Sequence, residues 1–387
     1  MLISGIGRCK PTQLIFRAIP FFLLLSKTKL RPLKESNFIF PQIKWIWINV
    51  TEEKSLGTFE KYLAFWVAAC MAAGLILSQT MPGLSVALNA WQIRGISVPI
   101  GLCLFLMMYP AVLNLQLSEL RKLMRNPKPI FLTIFSNWIV APIVTVLLAR
   151  HFLVGYDQLI VSLILLGSSP CTAMVLVWGS LADGNQEQNV INTSLNTVTI
   201  MFLYAPIVTL LTGIQNIPID KGLLVISVLV FIGLPMLMGY FSKKYLTESR
   251  GETWFNETYK PVIGKISMIA LLTTLVVLFS LNGDVLLNNP GLMVKVSTPL
   301  ILGFVIVVGF NLIATRVIGL AYKEAIISVI IGSSSHFEIA IATAISLYGI
   351  GSQAALGTTM GLFWEVPIML ALVYIGKWLN TRGFWGK

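Results

Sequence analysis

The chain has 387 residues, of which 56% are hydrophobic and only 11% charged, with a mean hydropathy of +0.81 and a formal net charge of +12. A water-soluble domain carries about 25% charged residues, so this composition excludes a soluble globular protein and makes the bilayer the solvent. The basic residues sit in short loops between apolar runs rather than on one face, which argues against nucleic acid as a partner and for cytoplasmic loops.

Residues 1–58 hold nine of the 28 basic residues and three of the 16 acidic ones, half of the net charge. Their apolar run, LIFRAIPFFLLL at 14–25, is too short and too interrupted to span a bilayer. No small-residue cleavage site follows it, which argues against a signal peptide. We expect a poorly ordered basic extension, or a stretch upstream of the translation start in use. An interfacial amphipathic anchor is the alternative.

Ten apolar segments follow, near 61–79, 95–115, 128–150, 158–180, 189–212, 221–241, 262–282, 297–319, 323–346 and 352–377. Each is long enough to cross about 30 Å of hydrocarbon at about 1.5 Å per residue. The expected fold is an all-α integral membrane protein with ten transmembrane helices. Loop charge gives the orientation. The 116–127 loop carries Arg121, Lys122 and Arg125; the 242–261 loop carries Lys243, Lys244, Arg250 and Lys260; the tail carries Lys377, Arg382 and Lys387. The alternate loops are poorer: Arg94, then Arg150 with Asp157, then Asp220 with Lys221, then Asp284 with Lys295. Both termini are therefore expected in the cytoplasm of a cell-membrane protein. The acidic Asp183 and Glu187 in one inside loop weigh little in this rule.

The fourth and ninth segments match. LGSSPCTAMVLVWGSLADGNQEQ (166–188) and IGSSSHFEIAIATAISLYGIGSQ (331–353) align at a shift of 165 residues. Gly167, Ser168, Ser169, Gly184 and Gln188 then fall on Gly332, Ser333, Ser334, Gly349 and Gln353. Asn126-Pro127 and Asn289-Pro290 repeat at nearly the same spacing. Five spans per half reverse the orientation of the second half, so the expected repeats, 59–215 and 216–380, are inverted, followed by a tail at 381–387. Broken apolar helices at corresponding places in two halves point to the substrate site of a secondary transporter.

Ionisable groups deep in a span are costly and usually functional. Glu338 and Glu365 lie near the middles of the ninth and tenth segments. Glu338 reads either as a protonated carboxyl bonded between helices or as a proton carrier; its place in the broken repeat favours the carrier. Glu365 precedes Pro367 and either stabilises that irregular turn or takes part in transport. Cys171 follows Ser168, Ser169 and Pro170, so its thiol sits at a break. There it is either a small buried apolar residue or a soft ligand for a thiophilic ion. One thiolate gives one bond, which suits reversible capture. Cys70 and Cys103 read as buried packing, and no CxxC occurs. His336 either satisfies backbone at the break or relays protons to Glu338. Asn137, Asn192, Asn196 and Asn311 read first as bridges between helices. Arg316 and Lys377 lie near span ends, where they can snorkel. No HExxH, no Walker-type glycine loop and no aspartate partner for Asn282-Gly283-Asp284 occurs, so neither an intramembrane protease nor an ATP-driven pump is expected. No cofactor is expected.

At these residues the chain resembles the arsenite efflux permeases of the bile acid, arsenite and riboflavin transporter superfamily. The resemblance runs from about Lys61 to Trp378. It rests on MMYPAVLNLQ (107–116), SNWIVAPI (136–143), PCTAMVLVW (170–178), LADG (181–184), HFEIAIATAISLYG (336–349) and EVPIML (365–370). It implies a bile acid–sodium symporter-like fold in which broken helices 4 and 9 cross at the site, with a core domain against a panel domain. The family's essential cysteine falls on Cys171 and its essential glutamate on Glu338. The implied activity is export of arsenite, often antimonite, by proton antiport. On the reading of the residues themselves, the candidate site also takes in Ser168, Ser169, Ser334, His336, Asn196 and Glu365. Two departures stand out. Pro170 takes a place that is Arg in some members, and Ser335-His336-Phe337 stands where Asn-Phe-Phe is common, which puts an imidazole beside the site. A sodium-coupled symporter of an organic anion on the same fold is the alternative, and an uncoupled channel or sensor a further one. A homo-oligomer is compatible with either transporter.

Overall fold

The computed structural model describes residues 62–386 except 82, 84–86, 88–89, 94–95, 114–125 and 173. The basic extension 1–58 and the charged loop residues Arg94, Arg121, Lys122 and Arg125 lie outside the described residues. The described chain is helical apart from one hairpin of β1 (Gln92–Ile93) and β2 (Ile96–Ser97). That hairpin corrects the second predicted segment, whose helix begins only at Val98.

The helices in chain order are α1 (Leu63–Thr80), α2 (Val98–Leu113), α3 (Lys128–Phe152), α4 (Asp157–Gly167), α5 (Met174–Leu181) and α6 (Gln186–Ile214). Then come α7 (Lys221–Arg250), α8 (Lys260–Asn288), α9 (Pro290–Ile318), α10 (Tyr322–Ser333), α11 (Phe337–Tyr348) and α12 (Gln353–Thr381). Six of these stretches are long and apolar enough to cross a membrane. The fourth and ninth predicted segments are each cut into two short helices, α4–α5 and α10–α11.

Two predicted boundaries move. The loop assigned to Asp284 and Lys295 is absent as a loop: α8 runs to Asn288 and α9 starts at Pro290. Proline at the first helical position costs no hydrogen bond and presets the helical φ. Asp284 is accommodated on α8 by the Ser78 hydroxyl at 3.2 Å and the Gln79 amide at 2.9 Å. Lys295 on α9 lies 4.2 Å over the Tyr156 ring and donates to its hydroxyl at 3.1 Å. Likewise α7 stays helical through Lys243 and Lys244 to Arg250.

Packing sorts the helices into two bundles. In one, α8 lies against α1 and α2, and α7 against α2. In the other, α12 lies against α4 and α11, α9 against α3 and α10, and α10 against α3. Both broken helices belong to the second bundle, and α2 and the first turns of α7 reach α11 from the first.

Lipid tails are as apolar as leucine, so helices in a bilayer associate through close packing and polar contacts. Gly357 and Gly361, one turn apart on α12, let α4 approach closely. A Cβ on Gly357 would overlap the Ser162 hydroxyl, and one on Gly361 would press into Leu166. The long helix after each break is capped in the same way: Asn185 accepts from the Gln188 amide at 3.2 Å, and Ser352 from the Ala355 amide at 3.1 Å. Gly357→Val should force α4 off α12 at a cost of about 1–3 kcal/mol. The expected readout is a lower unfolding temperature of the purified protein in detergent; an unchanged temperature would contradict this packing.

Candidate functional site

The first break starts where α4 ends at Gly167. Pro170 has no amide hydrogen to continue the ladder and pushes the residue before it towards extended backbone. The second break contains no proline. Ser333, Ser334 and Ser335 stand in a row, and serine hydroxyls compete with the helical ladder for backbone groups. Ser334 is extended, with φ −102° and ψ 139°.

The two breaks pair with each other. Pro170 and Ser335 form an isolated antiparallel bridge. The His336 amide donates to the Ser169 carbonyl at 2.6 Å, and the Cys171 amide donates to the Ser334 carbonyl at 3.2 Å. Each break thus satisfies backbone groups freed by the other, which hydrocarbon requires. Four of the predicted site residues, Ser169, Cys171, Ser334 and His336, meet in this short ladder.

Polar side chains from neighbouring helices hold the crossing. Asn196 on α6 donates to the Cys171 carbonyl at 3.1 Å and accepts from Asn137 on α3 at 3.2 Å. Asn311 on α9 donates to the Gly332 carbonyl at 3.1 Å and to Ser136 at 2.8 Å. The expected bridging role of Asn137, Asn192, Asn196 and Asn311 is what these bonds describe; Asn192 donates to Thr133 at 3.1 Å. On α12, Glu365 Oε1 accepts from the Ser334 hydroxyl at 2.6 Å and the Ser335 amide at 2.9 Å, while Oε2 accepts from the Ser335 hydroxyl. Its carboxylate fastens the second break.

Glu338 is the second residue of α11, three residues after the bridge. It is 2% exposed and His336 is fully buried. Glu338 Oε2 lies 2.8 Å from His336 Nδ1, as an ion-pair contact off the axis of an in-line hydrogen bond. Nε2 of the same ring lies 3.2 Å from the Met108 sulfur on α2. Glu338 Oε1 and the Ser168 hydroxyl are buried without a hydrogen-bond partner among the described residues. Cys171 is 2% exposed. A cavity between α3, α4 and α9 touches the crossing at Ser169, Pro170, Ser334 and Ser335; Cys171 and Glu338 do not line it.

Sequence reasoning missed two participants. Ser335 was visible as the third serine of its run. Met108 gave no signal, since a methionine in an apolar helix reads as packing.

The Sodium Bile acid symporter family matches residues 101–289. An uncharacterized transporter of Synechocystis is 37% identical, covering 86% of this chain and 91% of its own length. Two arsenical-resistance proteins named Acr3, from Alkaliphilus metalliredigens and Corynebacterium glutamicum, are each 32% identical over 85% of this chain and cover 95% and 91% of their own lengths. The chain belongs to the arsenite efflux permease family. This permease is a multi-pass membrane transporter, as its family and relatives are.

Replacing Glu365 by alanine strands three donors on the second break, the buried Ser334 hydroxyl and the half-buried Ser335 amide and hydroxyl, which costs about 2 kcal/mol or more. Glu365→Gln retains one acceptor oxygen and should cost less. Thermal unfolding of both variants in detergent checks this order; equal stability of Glu365→Ala and the parent would refute it.

Proposed function

We propose that this protein is a secondary active transporter that exports arsenite from the cytoplasm in exchange for protons, at the cell membrane. The observation that carries the reading is the paired break, which brings the segment bearing Cys171 and the segment bearing Glu338 into one ladder. The Acr3 relatives supply the substrate. Antimonite, with the same thiophilic chemistry, is a second candidate substrate.

Neutral arsenous acid enters from the cytoplasm and meets Cys171. One As–S bond forms as the thiol gives up its proton and arsenic loses one hydroxyl, releasing one water. A single soft bond is reversible, as transport requires. Ser168, Ser169, Ser334 and Asn196 present hydroxyls, an amide and the polar backbone of the breaks to the remaining hydroxyls. Glu338 is the coupling group: a proton taken up from outside favours release. Glu365 keeps the second break in shape, and His336 stands against Glu338. Ten spans in two inverted five-helix repeats, with both termini in the cytoplasm, complete the reading. Rigid-body movement of one bundle against the other alternates access.

The match to the Sodium Bile acid symporter family favours one second reading, sodium-coupled uptake of an organic anion. Uptake that requires sodium and ignores thiol reagents would select it. Under the leading reading, Cys171→Ala and Glu338→Gln each abolish arsenite accumulation by everted membrane vesicles while inserting normally. Retained accumulation in either variant sinks the mechanism.

A further inference from the structure

The Met108 side chain of α2 touches both breaks. Its sulfur takes the Thr172 hydroxyl at 3.9 Å, next to Cys171, and faces His336 Nε2 at 3.2 Å, two residues before Glu338. The residue is 2% exposed. α2 packs mainly with α7 and α8, whereas both broken helices pack mainly in the other bundle. Met108 therefore sits on the seam between the two.

We propose that Met108 and His336 form a proton-dependent latch, closed while the His336–Glu338 pair holds two protons and released when it holds one. This deepens the reading of Glu338 as the coupling group and rests on it.

The argument is a count of protons. With two protons the pair is neutral. One proton lies between Nδ1 and the carboxyl, and Nε2–H donates to the Met108 sulfur. Neither contact of the ring is then repulsive. With one proton the pair is an anion, and the two contacts compete for it. If the proton stays on Nε2, a bare Nδ1 lone pair faces a carboxylate 2.8 Å away. If it moves to Nδ1, it meets that carboxylate, and Nε2 is left bare against sulfur. A contact to an ionised oxygen is much stronger than one to a thioether, a weak acceptor. The proton goes to Nδ1, and α2 loses its tie to the second break, keeping only the 3.9 Å contact with Thr172. The proton that leaves is taken up by water on whichever side is open. In the buried setting no solvent is at hand to soften the choice.

The surroundings leave the pair in charge of this switch. The elements packed on α11 are α2, β2, α4, α7 and α12. From α12 comes Glu365, engaged with Ser334 and Ser335; Lys377 on the same helix pairs with Asp183 at 2.7 Å. α2 adds Cys103 and Tyr109, the latter bonded to Tyr259 at 2.8 Å. α4 carries Asp157 in its first turn, at the end away from the break. α7 carries Lys221 at its exposed start. The first break contributes Cys171, and Tyr204 of α6 reaches Thr343 further along α11.

The chain has two histidines, so ring chemistry can be read directly. The full chain, labelled with nitrogen-15 histidine and held in lipid nanodiscs without arsenite, is titrated by NMR between about pH 5 and 9. His151, exposed at the end of α3, is the internal reference. The expected result for His336 is a change from protonated Nε2 at low pH to Nδ1–H with bare Nε2 at high pH. Met108→Leu keeps the packing and removes the acceptor. Because the sulfur accepts from Nε2–H, this variant should displace the change of tautomer towards lower pH. Glu338→Gln should leave Nε2–H in place across the range. A His336 ring that keeps one tautomer throughout overturns the latch, as does a midpoint unmoved in Met108→Leu. The titration needs no substrate, so a protein that titrates as described yet moves no arsenite would overturn the transport reading and leave the latch standing.

Discussion

The structure depends on one constraint: backbone polar groups in hydrocarbon must be bonded to something. A helix meets this demand within itself, and a broken helix does not. Here two breaks meet it for each other. Ser169 and Ser334 supply the carbonyls, and His336 and Cys171 the amides. Neither broken helix could persist in a bilayer alone at the cost of several kcal/mol for each unpaired group. The crossing is thus a mutual requirement, and everything that holds one break in place also holds the other.

The polar side chains around the crossing follow from the same constraint. Asn196, Asn311 and Glu365 each come from a different continuous helix and each bond to a break. They act as struts, and the glycines of α12 hold α4 close to the same helix that carries Glu365. A transporter needs a site that is polar inside an apolar body and yet does not collapse. Struts from unbroken helices give rigidity to irregular backbone that has none of its own. The same arrangement leaves a few groups unstrutted, among them the Ser168 hydroxyl and Glu338 Oε1. Those are the groups at which substrate and protons can act without dismantling the fold.

Much of the fold was legible because a bilayer simplifies the code. Long apolar runs separated by charged loops read directly as helices, and the described helices overlie the expected segments closely. The errors fall at helix ends. Asp284 and Lys295 look like loop residues, but Ser78, Gln79 and Tyr156 take them in along the helix. The hairpin at Gln92–Ser97 was hidden because a two-residue strand leaves no periodic signal. Serine and proline in the middle of apolar runs marked both breaks, so Cys171 and Glu338 could be singled out before any coordinates.

What the sequence determined by itself was therefore which segments are apolar helices, where two of them break, and which ionisable or soft side chains stand at the breaks. These are local matters, set by hydropathy, by proline's missing amide hydrogen and by serine's competition for backbone. The tertiary structure decided partnership. It bonded Cys171 to Ser334 rather than to its own helix, put Glu365 on the serines rather than on its proline turn, and brought Met108 from a separate bundle against His336. A methionine in an apolar helix looks the same whether it faces lipid, a leucine or an imidazole. Only the packing of one helix on another selects among these, because hydropathy records how much a side chain avoids water and not what it touches instead.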